Sequence, residues 1–262
     1  MTDSEPLSTD GFSPSSPPNL TDIQTNSKLL QWKSYLVVAV FLACCLLAVT
    51  LGAFDVDLLV VLSGEATPVQ ERVLSNIRMP RVLLAALVGG SLALSGAALQ
   101  GLFRNPLADP GLIGVSSGAA LGAIFMIVLG GVVNMPASIA PYSVSIAAII
   151  GAGAVTGVLF AIAQGGGRLS IVTVLLVGIA VNALAGVGIG FFQYISDDSQ
   201  LRTLTFWMMG SLGRADWKSL IPGTVLMLIG FGLLIQTHRQ LDLLQLGENE
   251  AEFMGVNVGY LK

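Results

Sequence analysis

Apolar positions in this chain gather into six long runs, at about 34–54, 81–103, 112–133, 143–163, 171–194 and 219–237. Charges and turn formers separate them. About 20 apolar residues suffice to cross a bilayer as a helix, so each run predicts a membrane span. The expected fold is all-α, a polytopic transmembrane helix bundle. Residues 1–33 read as a disordered cytoplasmic tail, because residues 1–27 are rich in Ser, Thr, Pro, Asn and Asp and lack the basic and apolar regions of a signal peptide. Residues 34–240 form the membrane domain, and residues 241–262 a cytoplasmic segment. Between the spans, 164–170 reads as a tight flexible link. The patch Phe206-Trp207-Met208-Met209 within 195–218 reads as a short interfacial helix.

A second pattern lies inside the spans. Gly114, Gly118 and Gly122 recur every four residues, as do Gly178, Asn182, Gly186 and Gly190; Gly153 and Gly157 form a shorter pair. Small residues four apart share one helix face and let backbones approach. Two uses are open for these faces: close helix packing, or lining a pathway. Asn182 belongs to both, since an amide in such a stripe needs a partner helix or a wet cavity.

Composition narrows the class. Hydrophobic residues are 53% and charged residues 11%, with mean hydropathy +0.79; a soluble domain carries about a quarter charged residues. Net charge −4 gives no broad basic surface for nucleic acid. All 16 carboxylates fall outside the six runs, which disfavours a carrier coupled to protons or sodium. No His/Cys cluster points to a held metal, and the adjacent Cys44 and Cys45 read as apolar span residues. No G-x-x-x-x-G-K-[ST] loop occurs, so an ATP-driven process would need a separate ATPase.

Charge does not settle orientation. With a cytoplasmic start, Lys28, Lys33, Arg104, Arg168, Arg239 and Lys262 lie inside, and Arg72, Arg78, Arg81, Arg202, Arg214 and Lys218 outside. The positive-inside rule is tied, and only the flank of the first span favours this choice. The acidic tail from Leu241 to Val256 predicts a short helix whose Ala251, Met254 and Gly255 suit a groove on another protein.

Three strings carry a resemblance: Arg78-Met79-Pro80-Arg81, Ser95-Gly96-Ala97-Ala98-Leu99-Gln100, and Asn105-Pro106-Leu107-Ala108-Asp109-Pro110-Gly111-Leu112-Ile113-Gly114-Val115. With the tail Leu246-Gly247-Glu248 through Ala251 and Gly255-Val256, the chain resembles the FecCD-like permeases. These are membrane subunits of bacterial ABC importers for ferric siderophores, haem and cobalamin. The stretches 105–120, 197–207 and 210–217 look most like the haem importers. The resemblance implies a ten-helix, multi-pass subunit of the inner membrane that works as a homodimer, with the pathway between two copies. A periplasmic binding protein would dock outside and two ATPase subunits inside. The chain itself would be no enzyme and would hold no permanent cofactor, ATP being used by the partner subunit. By the same resemblance, Arg78 and Arg81 dock the binding protein, and Leu246, Gly247, Glu250, Ala251 and Gly255 couple to the ATPase. Since the chain stops at Lys262, four spans of the family fold are expected to be missing. The readings set against a haem importer are a siderophore or cobalamin permease, an ATP-independent secondary transporter, and a membrane fragment that does not transport.

Overall fold

The computed structural model describes residues 20–52, 54, 60–61, 63–133, 135–163 and 171–261. The link 164–170 and most of the expected tail, residues 1–19, lie outside them. The described residues fall into two units, one ending at Leu74 and the other beginning at Ser75. In the first, helix α1 runs Leu20–Thr50. It begins well before the expected span, so residues 20–33 are helical rather than disordered. Helix α2, Pro68–Val73, starts on a capping box: the Thr67 hydroxyl accepts from the Gln70 N–H, and the Gln70 side chain accepts from the Thr67 N–H.

The second unit begins within a π-helical turn, Leu74–Arg78, and continues as α3, Met79–Phe103. Helix α4 spans Val115–Leu129, α5 Ser143–Ala163, α6 Ile171–Ile195, α7 Asp198–Met209 and α8 Trp217–Leu244. Two short helices, α9 (Glu248–Phe253) and α10 (Val258–Leu261), follow. The patch Phe206–Met209 lies on the short helix α7, with Leu204 buried and Phe206, Met208 and Met209 exposed.

Among the described residues, five helical stretches are long and apolar enough to cross a membrane: Gln31–Thr50, Pro68–Phe103, Ala140–Ala163, Val172–Ile195 and Trp217–Leu244. The sixth expectation, 112–133, needs correction. Helix α4 has 15 residues, or about 22 Å at 1.5 Å each, short of the roughly 30 Å apolar layer. The cause is local. Asp109 accepts from the Gly111 N–H at 2.6 Å and begins a 3-10 turn, Pro110–Ile113. Gly114 then takes φ 86°, a left-handed conformation that ends the turn and resets the chain before α4. Irregular backbone is tolerated at membrane depth when protein covers it, and Ile113, Gly118, Ala123 and Ile124 are all buried.

Glycines set how α4 is covered. It runs antiparallel to α5: a Cβ on Gly118 would lie 2.6 Å from the Gly151 carbonyl oxygen, and one on Gly122 would strike the Ala147 carbonyl. It runs parallel to α6, through Ser117 with Asn182, Leu121 with Gly188, and an edge-to-face pair of Phe125 and Phe192 with centroids 5.8 Å apart. Helix α3 packs parallel to α8. Gly90 faces Phe231 and Gly101 faces Leu241, so both N-terminal ends meet at one end of the pair and both C-terminal ends at the other.

Candidate functional site

The expected docking and coupling residues fall at opposite ends of the α3–α8 pair. At the N-terminal end, Arg78 closes the π-turn and is only 8% exposed. Burial removes most of its surface from any docking partner. Arg81, in the first turn of α3, is exposed, and its Nη2 donates to the Gly213 carbonyl at 3.2 Å. A second bond runs the other way: Trp217 Nε1 donates to the Ser75 carbonyl at 2.9 Å. Together they tie the loop between α7 and α8 to the start of α3. Arg202, Arg214 and Lys218 are exposed on α7, on that loop and at the start of α8.

The two aspartates that start α7 and α8 are well-made caps. Asp197 accepts from the N–H groups of Gln200 and Ser199 at 2.8 and 2.9 Å. Asp216 accepts from the Ser219 hydroxyl and N–H. Hydrogen bonding favours the charged form. The bond from Gln200 foremost, then those from Ser199, lowers the Asp197 pKa below the ordinary aspartate value. The Ser219 hydroxyl foremost, then its N–H, does the same for Asp216.

At the C-terminal end of the pair, Arg104 ends α3 in a left-handed conformation, φ 51°. Its N–H bonds Gly101 O and that of Asn105 bonds Gln100 O, the double closure of a helix end. Arg104 Nη2 lies 3.8 Å from Glu248 Oε1 at the start of α9. Gly247 turns the chain into α9 at φ 139°. Ala251 is fully buried, packed with Leu244, Val256 and Val258 and touched by Leu102 of α3. The tail therefore divides. Gly247 and Ala251 are structural, while Leu246, Glu250 and Gly255 are exposed. Ala251 was expected on the groove-binding face, but it points into the tail's own core. The exposed apolar residues beside it are Phe253 at 92% and Met254 at 58%.

Between the ends, Asn182 is held by protein. Its Oδ1 accepts from the Ser117 hydroxyl, and its Nδ2 donates to the Gly111 carbonyl at 3.2 Å. It pins α6 to α4 and to the 3-10 turn. Gly178 lies against the Leu112 carbonyl, but among the described residues nothing approaches Gly186 and Gly190, nor Gly153 and Gly157. One half of the α6 stripe is packing within this chain, and the other half is free. Among the described residues, no group of three His, Cys, Asp or Glu could hold a metal ion. A cavity of about 540 Å³ opens where Met126, Met135, Ser143, Ser199 and Thr203 meet, beside the first turn of α7.

Sequence reasoning missed the Arg104–Glu248 pair, the two bonds that tie the α7–α8 loop, and Phe253. The only signals were a charge at a helix stop and an aromatic residue in an acidic tail, and neither names its partner.

This arrangement of parallel pair, short buried helix and folded tail can be compared with known proteins. Residues 35–262 match the model of the FecCD transport family. The chain belongs to the FecCD transport family. Among relatives, this FecCD chain is 50% identical over 188 residues to the hemin transport system permease protein HmuU of Yersinia pestis, covering 71% of this chain and 55% of that one. It is 33% identical over 236 residues to the vitamin B12 import system permease protein BtuC of Vibrio cholerae, covering 90% and 68%. A solved metal-chelate type ABC transporter in an inward-facing conformation superposes with TM-score 0.75 at 30% identity, covering 87% of this chain and 68% of that one. The chain thus spans about half the length of the hemin relative. As a family member with five membrane-length helices among the described residues, it is a multi-pass protein of the inner membrane.

Proposed function

We propose that this FecCD chain supplies translocation helices to the permease of an ATP-driven importer, and that the cargo is haem. The observation that carries the reading is the 50% identity to a hemin permease, joined to a tail folded as a compact contact element. In this reading the tail end is cytoplasmic. Leu246, Phe253 and Met254 offer an apolar contact to a separate ATPase subunit, flanked by the carboxylate of Glu250. The buried Ala251 and the Gly247 turn hold that surface in shape. At the outer end, Arg81 with Arg214 and Lys218 faces acidic residues of a periplasmic binding protein; the buried Arg78 supports the start of α3. Two copies pair, and the open faces at Gly186 and Gly190 are available to the second copy or to the pathway.

No step on the substrate is chemical. ATP binding and hydrolysis by the partner change which side is open, because the partner's ATP-bound form binds one state of the permease better than the other. Cobalamin is the second cargo to test, given the likeness to BtuC. The test is uptake into vesicles holding the assembled permease, its ATPase and a haem-binding protein. ATP-dependent haem entry is expected. Entry of cobalamin but not haem would replace the cargo. Uptake that needs no ATPase and collapses with an uncoupler would replace the mechanism.

A further inference from the structure

The links between α3 and α8 are placed at both ends and in the middle. At the outer end, Arg81 donates to Gly213 O and Trp217 to Ser75 O. In the middle, a Cβ on Gly90 would lie 3.4 Å from Phe231. At the tail end, Leu102 joins the Leu244–Ala251–Val256–Val258 cluster, and Arg104 meets Glu248. Arg104 stands in a left-handed position where glycine would be less strained. What arginine adds there is a side chain that reaches α9. An ion pair this exposed contributes little stability, so its use is in position.

We propose that Arg81 and Arg104 are positioning residues that fasten α8 to α3 at its two ends, so that the pair moves as one strut between the tail and the outer face. This rests on the importer reading above. A displacement of α9 by the ATPase then reaches the Arg81 loop without sliding between the two helices. Rigid, packed secondary elements can carry coupling over such a distance, and a parallel pair fastened at its two ends and in contact between them is one.

The closing experiment locks the pair covalently. A Cβ built on Gly101 lies 3.8 Å from Leu241 Cβ, the usual Cβ separation in a disulfide. Gly101→Cys with Leu241→Cys, in the assembled transporter with Cys44 and Cys45 changed to Ala, should cross-link on oxidation. Haem uptake by the oxidised protein should equal that of the reduced protein. If the cross-link forms and uptake stops until a reductant is added, the helices must slide and the strut is overturned. If no cross-link forms, the packing itself is wrong. Absence of ATP-driven uptake in the reduced protein would refute the importer reading, and the strut's transport role with it; the cross-link is read separately by mobility on a gel.

A second pair of variants tests Arg104 itself. Arg104→Glu should lower uptake by roughly 2- to 30-fold, the range for mutations along a coupling network. Adding Glu248→Arg should recover most of the loss. A swap that recovers nothing removes Arg104 from the strut.

Discussion

The α4–α5–α6 cluster and the α3–α8 pair are both helix contacts, built on different terms. In the cluster, backbones touch: Gly118 and Gly122 press on Gly151 and Ala147, Gly178 presses on Leu112 O, and Asn182 bonds across the junction. The α3–α8 contact is looser along its length, with built Cβ distances of 3.4 Å at Gly90 and 3.8 Å at Gly101. It is fastened instead by side chains at its ends. Close packing drives association where no hydrophobic gain remains between helices in lipid. The cluster has no slack to give, whereas the pair owes its alignment to a few polar links that single substitutions can remove.

The largest effect should come from filling the cluster. Gly122→Leu places a side chain where the Ala147 carbonyl stands and should cost about 3 kcal/mol or more, the upper range of overpacking. The matched change Gly186→Leu meets open space and should leave the fold of this chain within about 0.5 kcal/mol. Unfolding of the purified protein in detergent reads both. Equal losses would erase the contrast between packed and open halves of the stripes.

Asn182→Ala should come next. It removes two bonds across the junction but leaves the Gly111 carbonyl accepting from the Gly114 N–H and the Ser117 hydroxyl donating to the Gly114 carbonyl, so about 1 kcal/mol is expected from the lost bonds. A pathway role would show differently, as lost uptake in a protein of unchanged stability.

The smallest effect concerns pH. The folded-state pKa values of Asp197 and Asp216 are lowered. Their caps therefore contribute fully above the unfolded aspartate value and fade only as pH falls through the folded one. Amide exchange at Ser199 and Gln200, followed from about pH 6 to about pH 3 and corrected for intrinsic rates, should show constant protection until below the ordinary aspartate pKa of ~3.9. Loss of protection already near neutrality would contradict the caps.

Much of this architecture could be read from one-dimensional pattern. The run 143–163 coincides with α5, and 171–194 falls one residue short of α6, because uninterrupted apolar stretches leave only length to decide. The run 112–133 misled because hydropathy does not register backbone sign. Gly114 looks like any small residue until its φ of 86° ends a turn there. The spacing of Gly118 and Gly122 revealed a packing face but not its partner, and Gly153 with Gly157 shows the same spacing facing nothing among the described residues. At the site, the tail was located by its acidic and small residues, yet which of them point outward depends on the fold around Leu244. Arg78 and Arg81 read alike in sequence; one π-turn separates a buried guanidinium from an exposed one.

The central claim is that the outer face and the tail of one chain serve a single ATP-driven cycle. The direct measurement is ATP hydrolysis by the partner ATPase in the assembled complex, with and without haem-loaded binding protein, for the parent and for Arg81→Glu. The account predicts that the binding protein stimulates hydrolysis in the parent and that Arg81→Glu abolishes the stimulation. Stimulation of the same size in Arg81→Glu, or none in a parent that still takes up haem, would contradict it.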